Sequence, residues 1–141
     1  MNKFEYVSEY VTAEPLFVAV SSKDGLAVDL HFGHTREFWI FRLDSAGCTF
    51  VEHRPVELYC GGQGNANHSA MASTLETVAD CDLLLVAKVG DGPKVRLAAI
   101  GVTPLDDYAW ETVPDALAML CDDIRAGKVA GVADSVGLRH A

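Results

Sequence analysis

The sequence predicts an α/β domain in which a mixed five-stranded sheet, in strand order 3-2-1-4-5, is flanked by helices. A short turn, "DSAG" at residues 44–47, joins two strand-like segments, which must therefore be antiparallel. An uninterrupted apolar run, "DLLLVAKVG" at residues 82–90, is typical of a parallel strand that is covered on both faces. Helical and strand patterns alternate after residue 69, which favours right-handed βα units. Strands 1, 3, 4 and 5 would then point the same way.

Five segments are enriched in the β-branched, aromatic and aliphatic residues that are typical of strands. The first, "LFVAVSS", is stopped by "KDG", and the second, "EFWIFRL", places its aromatic residues on both faces. The predicted strands cover residues 16–22, 37–43, about 48–58, 82–90 and 102–105. The glycine-rich stretch "CGGQGNANHS" at residues 60–69 interrupts this pattern and is predicted to be a loop.

Three helices are predicted after the third strand. The first begins at Ser69 and has an apolar stripe with i, i+4, i+7 spacing. The second covers residues 91–101, with a proline near its start and a glycine at its end. The third follows a T-x-x-D capping pattern that begins at Thr112, and it stops at Gly127.

The chain of 141 residues is long enough for one domain and too short for two independent cores. Residues 1–15 have apolar side chains at helical spacing and are predicted to form an arm or a short helix. Residues 16–127 form the predicted domain, and we expect residues 128–141 to be a flexible tail, since their periodicity is weak.

The composition argues against several classes of function. A net charge of −9 disfavours nucleic-acid binding, which depends on lysine and arginine against phosphates. An anionic ligand would need a local positive pocket. No apolar run approaches the roughly 20 residues that span a bilayer, and the N-terminus does not read as a secretory signal. We therefore expect a cytoplasmic protein.

The four cysteines are widely spaced and include no C-x-x-C pair, which disfavours a closed zinc site or a ferredoxin-type cluster. In a reducing cytoplasm they should be free thiols. Cys121 lies on the apolar face of a predicted helix, and Cys81 directly precedes a buried strand, so both are interpreted as core residues. Cys48 lies in the hairpin and carries no further signal.

Chemistry-bearing residues gather where strands 1, 3 and 4 end, because parallel strands present their carboxyl ends at one edge of a sheet. The candidates are His31, His34, Cys60, Gly61, Lys88 and Lys94. Imidazole and thiolate suit iron–sulfur centres and soft metals, so His31 and Cys60 are the predicted metal ligands. Glycines allow close approach to a bulky ligand. The lysines, together with Arg36, would supply the local positive field.

Each candidate also has a structural interpretation. His31 could be a turn residue bonded only to backbone, and His34 could point away from this edge. Cys60 could be packed as a small hydrophobic residue. For the remaining histidines, His53, His68 and His140, no other sequence feature indicates a ligand role.

Four segments resemble the dinitrogenase iron–molybdenum cofactor biosynthesis family. They are "VAVSSKDGLAVDLHFGHTREFWIF", "VELYCGG", "ADCDLLLVAKVGDGPKVRLAAIGV" and the closing "ALAML" helix, and the resemblance covers about residues 16–121. The family includes NifX- and NafY-type accessory proteins and the C-terminal domain of NifB. The HFG-H turn, the Y-C-x-G segment and the G-D-x-P-K loop are most similar to the NifB domain. Where that branch often has a cysteine, this chain has Gly92.

The resemblance implies a ribonuclease-H-like fold and transient binding of an iron–sulfur precursor of the nitrogenase cofactor, such as the NifB product. It also implies handover to nitrogenase cofactor assembly proteins and apo-dinitrogenase, with the chain acting as a monomer or a homodimer. The family's cofactor-associated histidine corresponds to His31, and the Y-C position corresponds to Cys60.

Two functions follow as hypotheses. The first is a non-enzymatic carrier or chaperone of this precursor. The alternative is an interaction module that docks on nitrogenase or its assembly factors without an obligatory metal ligand. An enzyme is disfavoured, although Asp24, Asp29 and Asp91 lie in the relevant loops, because no carboxylate lies in the first strand and no nucleophile motif is present.

Overall fold

The computed structural model describes residues 15–44, 47–57 and 66–129, which form a five-stranded sheet with helices on both faces. The strands are β1 (Leu16–Ser21), β2 (Glu37–Asp44), β3 (Gly47–Pro55), β4 (Leu83–Leu85) and β5 (Thr103–Leu105). The helices are α1 (Ala66–Val78), α2 (Asp91–Ala99) and α3 (Val113–Arg125). Residues 1–14 of the predicted arm at 1–15, and residues 130–141 of the predicted tail, lie outside the described residues.

The strand order is β3-β2-β1-β4-β5, which confirms the predicted order. β2 is antiparallel to both β1 and β3, whereas β4 is parallel to β1 and β5 is parallel to β4. The tight turn between β2 and β3 forces their antiparallel pairing, and the helical connections α1 and α2 allow the parallel pairs. β1, β3, β4 and β5 therefore end at the same edge of the sheet, which we call the carboxyl edge.

β4 is shorter than the predicted strand over residues 82–90. It pairs with β1 only over Leu83–Leu85, because β1 ends at Ser21. Hydrogen bonds continue beyond the strand: the Val86 amide donates to the Leu105 carbonyl at 3.1 Å, and the Ala87 amide donates to the Leu30 carbonyl at 2.9 Å. Residues 83–86 and Val89 are buried, and the second half of the run exchanges β1 for another neighbour.

The sheet separates two apolar clusters. On one face, α3 packs through Leu117, Leu120 and Ile124 against side chains of β1 and β4. The opposite face holds a cluster to which α1, α2 and the strands contribute. Its largest fully buried members are Phe32, Phe38, Ile40, Leu84 and Leu97. Both faces exclude water, as expected for parallel strands with helical connections.

The start of α3 and two of the cysteines match their predictions. The Thr112 hydroxyl accepts a hydrogen bond from the Asp115 amide at 3.2 Å, which is the predicted cap. Cys81 and Cys121 are buried free thiols, and burial raises the pKa of each to about 12.

Val129, which falls in the predicted tail, is buried in the cluster beneath α3. Within the described residues, no helix has the length and apolar character that crossing a membrane requires.

Arg54 on β3 holds the end of α1 against the sheet. Its guanidinium donates to the Thr77 carbonyl at 2.7 Å, to Asp80 at 2.8 Å and to Glu52 at 2.8 Å. A cation at the end of a helix also interacts favourably with the carbonyl groups left unbonded there. The Arg54 guanidinium lowers the pKa of the Asp80 carboxyl below its ordinary value of 3.8.

Replacing this arginine, as Arg54→Met, is expected to lower the free energy of unfolding by about 1–3 kcal/mol at pH 7. The Asp80 pKa is lowered on folding, so its stabilisation is present above the unfolded pKa and is lost as the pH falls through the folded pKa. Urea unfolding of both proteins at pH 7 and pH 3 should therefore give a smaller difference at pH 3. Arg96→Met, at an exposed position on α2, is the control and should change stability by less than about 0.5 kcal/mol. Equal differences at both pH values would contradict this role.

Candidate functional site

The histidine turn is joined to the sheet beside β4. The Ala87 amide donates to the Leu30 carbonyl at 2.9 Å, the Phe32 amide donates to the Lys88 carbonyl at 2.9 Å, and His31 and Lys88 form a parallel bridge. Residues 30–32 thereby occupy, next to the extension of β4, the position that β1 has vacated. His31 and Lys88 are consequently neighbours at the carboxyl edge, as the predicted topology required.

The turn itself is a short 3₁₀ segment, Phe32–His34, with its apolar residue inward and its imidazoles outward. The His31 carbonyl accepts from the His34 amide at 3.0 Å and from the Thr35 hydroxyl at 2.7 Å. The Phe32 ring is 1% exposed and lies 6.3 Å from the Phe38 ring, centroid to centroid. A buried aromatic residue and a buried threonine therefore fix the backbone that carries both histidines.

His31 and His34 lie on the same side of this turn. Their rings are stacked, with centroids 5.8 Å apart and an angle of 21° between planes, and both residues are exposed. The 3₁₀ geometry explains the stacking, because it places positions i and i+3 above one another. The role of His34 as a ligand stays a prediction.

Positive charge lies close to the imidazoles. Lys88 is the exposed bridge partner of His31, and Lys94 lies in the first turn of α2, which starts three residues after Lys88. Among the described residues, neither lysine has a carboxylate within salt-bridge distance. The carboxyl edge thus combines exposed imidazoles with ammonium groups that no described carboxylate pairs, in an acidic protein.

Cys60 and Gly61 lie outside the described residues, so their proximity to His31 stays a prediction. Within the described part of the chain, no group of three or more His, Cys, Asp or Glu side chains could hold a metal ion. Two of the loop carboxylates have local roles: Asp29 accepts from the Lys23 amide at 2.9 Å, and Asp24 accepts from the Leu26 amide at 3.1 Å. Among the described residues of the candidate site, the imidazoles of His31 and His34 are therefore the groups that could bind a metal.

A cavity next to the turn was missed by the sequence analysis. It has a volume of about 280 Å³ and separates the histidine turn from α1. Its lining residues are Phe32, Gly33, Arg36, Ala70, Met71 and Thr74. The small residues at 70 and 74, one helical turn apart, are the sequence feature that could have indicated room on this side of α1.

The profile of a protein family described as "Dinitrogenase iron-molybdenum cofactor" matches residues 14–123 of this chain. The FeMo cofactor biosynthesis protein NifB of Herbaspirillum seropedicae is 38% identical over 118 residues, which cover 81% of this chain and 22% of that protein. NifB of Sinorhizobium fredii is 37% identical over 105 residues, covering 74% of this chain and 21% of that protein. The chain spans about a fifth of the length of these relatives.

The fold is also similar to that of a solved structure. The crystal structure of PH0822 superposes with a TM-score of 0.53 at 13% sequence identity and covers 89% of this chain and 100% of that one. At this identity the similarity concerns the fold alone.

Proposed function

Because this chain belongs to the dinitrogenase iron–molybdenum cofactor family, we propose that it binds an iron–sulfur precursor of that cofactor and carries it during biosynthesis. The observation that carries the proposal is the anchored pair of exposed imidazoles, His31 and His34, with Lys88 beside them. The protein acts here as a carrier and not as a catalyst.

The spacing of the rings is compatible with a metal-containing cargo. Two imidazoles that bind one tetrahedral ion through metal–nitrogen bonds of about 2.0–2.1 Å have ring centroids about 5 Å apart. The centroids of His31 and His34 are 5.8 Å apart, so the pair could bind one iron atom or two atoms of one cluster. Imidazole is also a suitable ligand for iron, and the adjacent ammonium groups favour an anionic cluster.

A small ligand set suits temporary binding. With Cys60 as a third donor, the site would leave most of the cluster open to ligands from another protein. Nitrogenase cofactor assembly proteins and apo-dinitrogenase are the proposed donors and acceptors. Their ligands could replace the imidazoles one at a time.

Anaerobic incubation with the isolated precursor cluster, followed by gel filtration and visible absorption spectroscopy, tests the proposal. We expect the wild-type protein to co-elute with the cluster and His31→Ala to bind it at least about tenfold more weakly, since a tenfold loss corresponds to only about 1.4 kcal/mol. The matched control is His53→Ala, because His53 lies on β3, where it stacks on Trp39 at 4.3 Å. Unchanged co-elution in a His31→Ala, Cys60→Ala double variant would overturn this site.

The alternative function, docking on a protein partner, is favoured by a separate observation. Leu26 and Trp110 are 68% and 66% exposed, and backbone hydrogen bonds join their loops: Val113 to Leu26 at 2.9 Å and Trp110 to Val28 at 2.8 Å. Trp110 also has a φ of 73°, which non-glycine residues rarely adopt. An exposed and strained tryptophan is more typical of a contact surface than of a stabilising element.

The two functions differ in which residues a partner interaction needs. Trp110→Gly removes the side chain and suits the positive φ, so the fold should be retained. Loss of apo-dinitrogenase binding in Trp110→Gly, with binding intact in His31→Ala, would favour docking. The opposite pattern would favour cargo transfer.

A further inference from the structure

The geometry points to a second binding element next to the histidine pair: Arg36 and the adjoining cavity take a carboxylate group of a compact anionic ligand. The cavity is lined by Gly33, which lies between His31 and His34 in the turn, so one ligand could reach both elements. The inference goes beyond the proposed function, because the carboxylate subsite does not depend on what the histidine pair binds.

Arg36 stands apart from three other arginines of the fold. Arg42, Arg54 and Arg125 are each paired with carboxylates. Arg36 has no carboxylate within salt-bridge distance among the described residues, and its guanidinium makes only a long hydrogen bond of 3.4 Å to the Thr35 carbonyl. Most of its five donors are therefore without a partner in the described part of the chain, and their planar arrangement matches a carboxylate.

The backbone of Arg36 is fixed while its side chain is exposed. The Arg36 carbonyl accepts from the Val56 amide at 2.8 Å, which extends the pairing of β2 with β3 beyond the strand ends. Its neighbour Thr35 is buried. Arg36 therefore lines the cavity from a fixed backbone, which lowers the entropy cost of binding a ligand.

Among the residues that line the cavity, Arg36 has the side chain that can donate a hydrogen bond to an anion. Phe32 and Met71 supply apolar walls, and both belong to the cluster under α1. Thr74 is 6% exposed, and its hydroxyl already donates to the Ala70 carbonyl at 2.9 Å. Selectivity for a carboxylate over a neutral group should therefore depend on the guanidinium.

The volume limits the size of the group. At about 280 Å³, the cavity is slightly smaller than the roughly 300–1,000 Å³ that is usual for ligand pockets. A four-carbon dicarboxylate such as succinate is of suitable size, and succinamide is its neutral counterpart of nearly equal shape.

Titration of the full-length, ¹⁵N-labelled protein with succinate, followed by NMR, tests the inference. We expect shifts of the backbone amides of Gly33 and Thr74 and of the Arg36 side-chain Nε–H, with a dissociation constant of the order of millimolar. Arg36→Gln should weaken binding at least about tenfold, whereas Arg96→Gln, at an exposed site on α2, should leave it unchanged. Succinamide should give no comparable shifts.

Three results would overturn the inference: equal shifts with succinamide, unchanged affinity in Arg36→Gln, or shifts confined to Lys88 and Lys94. His31→Ala separates this inference from cluster carriage, because it should still bind succinate. Succinate binding without cluster binding would count against the carrier function alone, and cluster binding without succinate binding would count against the subsite alone.

Discussion

Phe32→Ala is expected to lower the free energy of unfolding by about 3–5 kcal/mol, the usual cost of truncating a fully buried phenylalanine. The ring is 1% exposed and belongs to the cluster between the sheet, α1 and α2. It also separates the two histidines in the chain. The same substitution should therefore loosen the turn and weaken cluster binding even though both imidazoles are still present.

Urea unfolding monitored by circular dichroism measures the loss of stability, and the cluster-binding assay measures the weakening of cluster binding. Gly33→Ala is a matched control in the same turn, because a Cβ at Gly33 would meet no atom within 4 Å. Its effect should stay within about 0.5 kcal/mol. A cost below about 1 kcal/mol for Phe32→Ala would show that this ring does not anchor the turn.

Gly25→Ala is expected to cost about 2–5 kcal/mol, from two separate sources. The residue has a φ of +85°, at which a side chain is strained by about 1–2 kcal/mol. In addition, the new Cβ would lie 3.1 Å from three atoms of the Trp39 ring, and such overpacking typically costs about 1–3 kcal/mol. The indole has little freedom to move, because its Nε1–H donates to the Ser22 carbonyl at 3.2 Å.

Gly101→Ala isolates the first source, the strain of the positive φ. Gly101 has nearly the same φ, +84°, but a Cβ there would meet nothing within 4 Å. Its cost should be the conformational part alone, about 1–2 kcal/mol. Thermal or urea unfolding of both variants gives the difference, and equal costs would rule out the contact with Trp39 as a cause.

The strand order could be predicted because local signals determine it: a turn too short for a crossover between β2 and β3, and an apolar run for β4. The start of α3 could be predicted for the same reason, because its cap lies only three residues from the amide that it accepts from. The length of β4 was not, because its end depends on a change of partner from β1 to residues 30–32. That change is made by hydrogen bonds between residues far apart in the chain, which leave no periodicity in either segment.

The candidate site likewise has features that the sequence could predict and features that it could not. The proximity of His31 to Lys88 followed from parallel strands ending at one edge, and the structure has the two residues side by side. The stacking of His34 on His31 depends on a 3₁₀ turn, and the cavity beside Arg36 depends on where α1 packs. Neither is encoded in residue spacing alone. The roles of Cys60 and Gly61 stay predictions.

The hydrogen bonds around His31 bear on how a cargo would be exchanged. Its carbonyl accepts two of them, and both neighbouring residues are bonded to the extension of β4. Opening of this segment would require breaking several hydrogen bonds at once, so we expect it to be rare on the timescale of a handover. Exchange should then be associative, with an incoming ligand attacking the bound cluster before the imidazole leaves. The release rate would rise with the concentration of the acceptor instead of reaching a limit set by the protein's own motion.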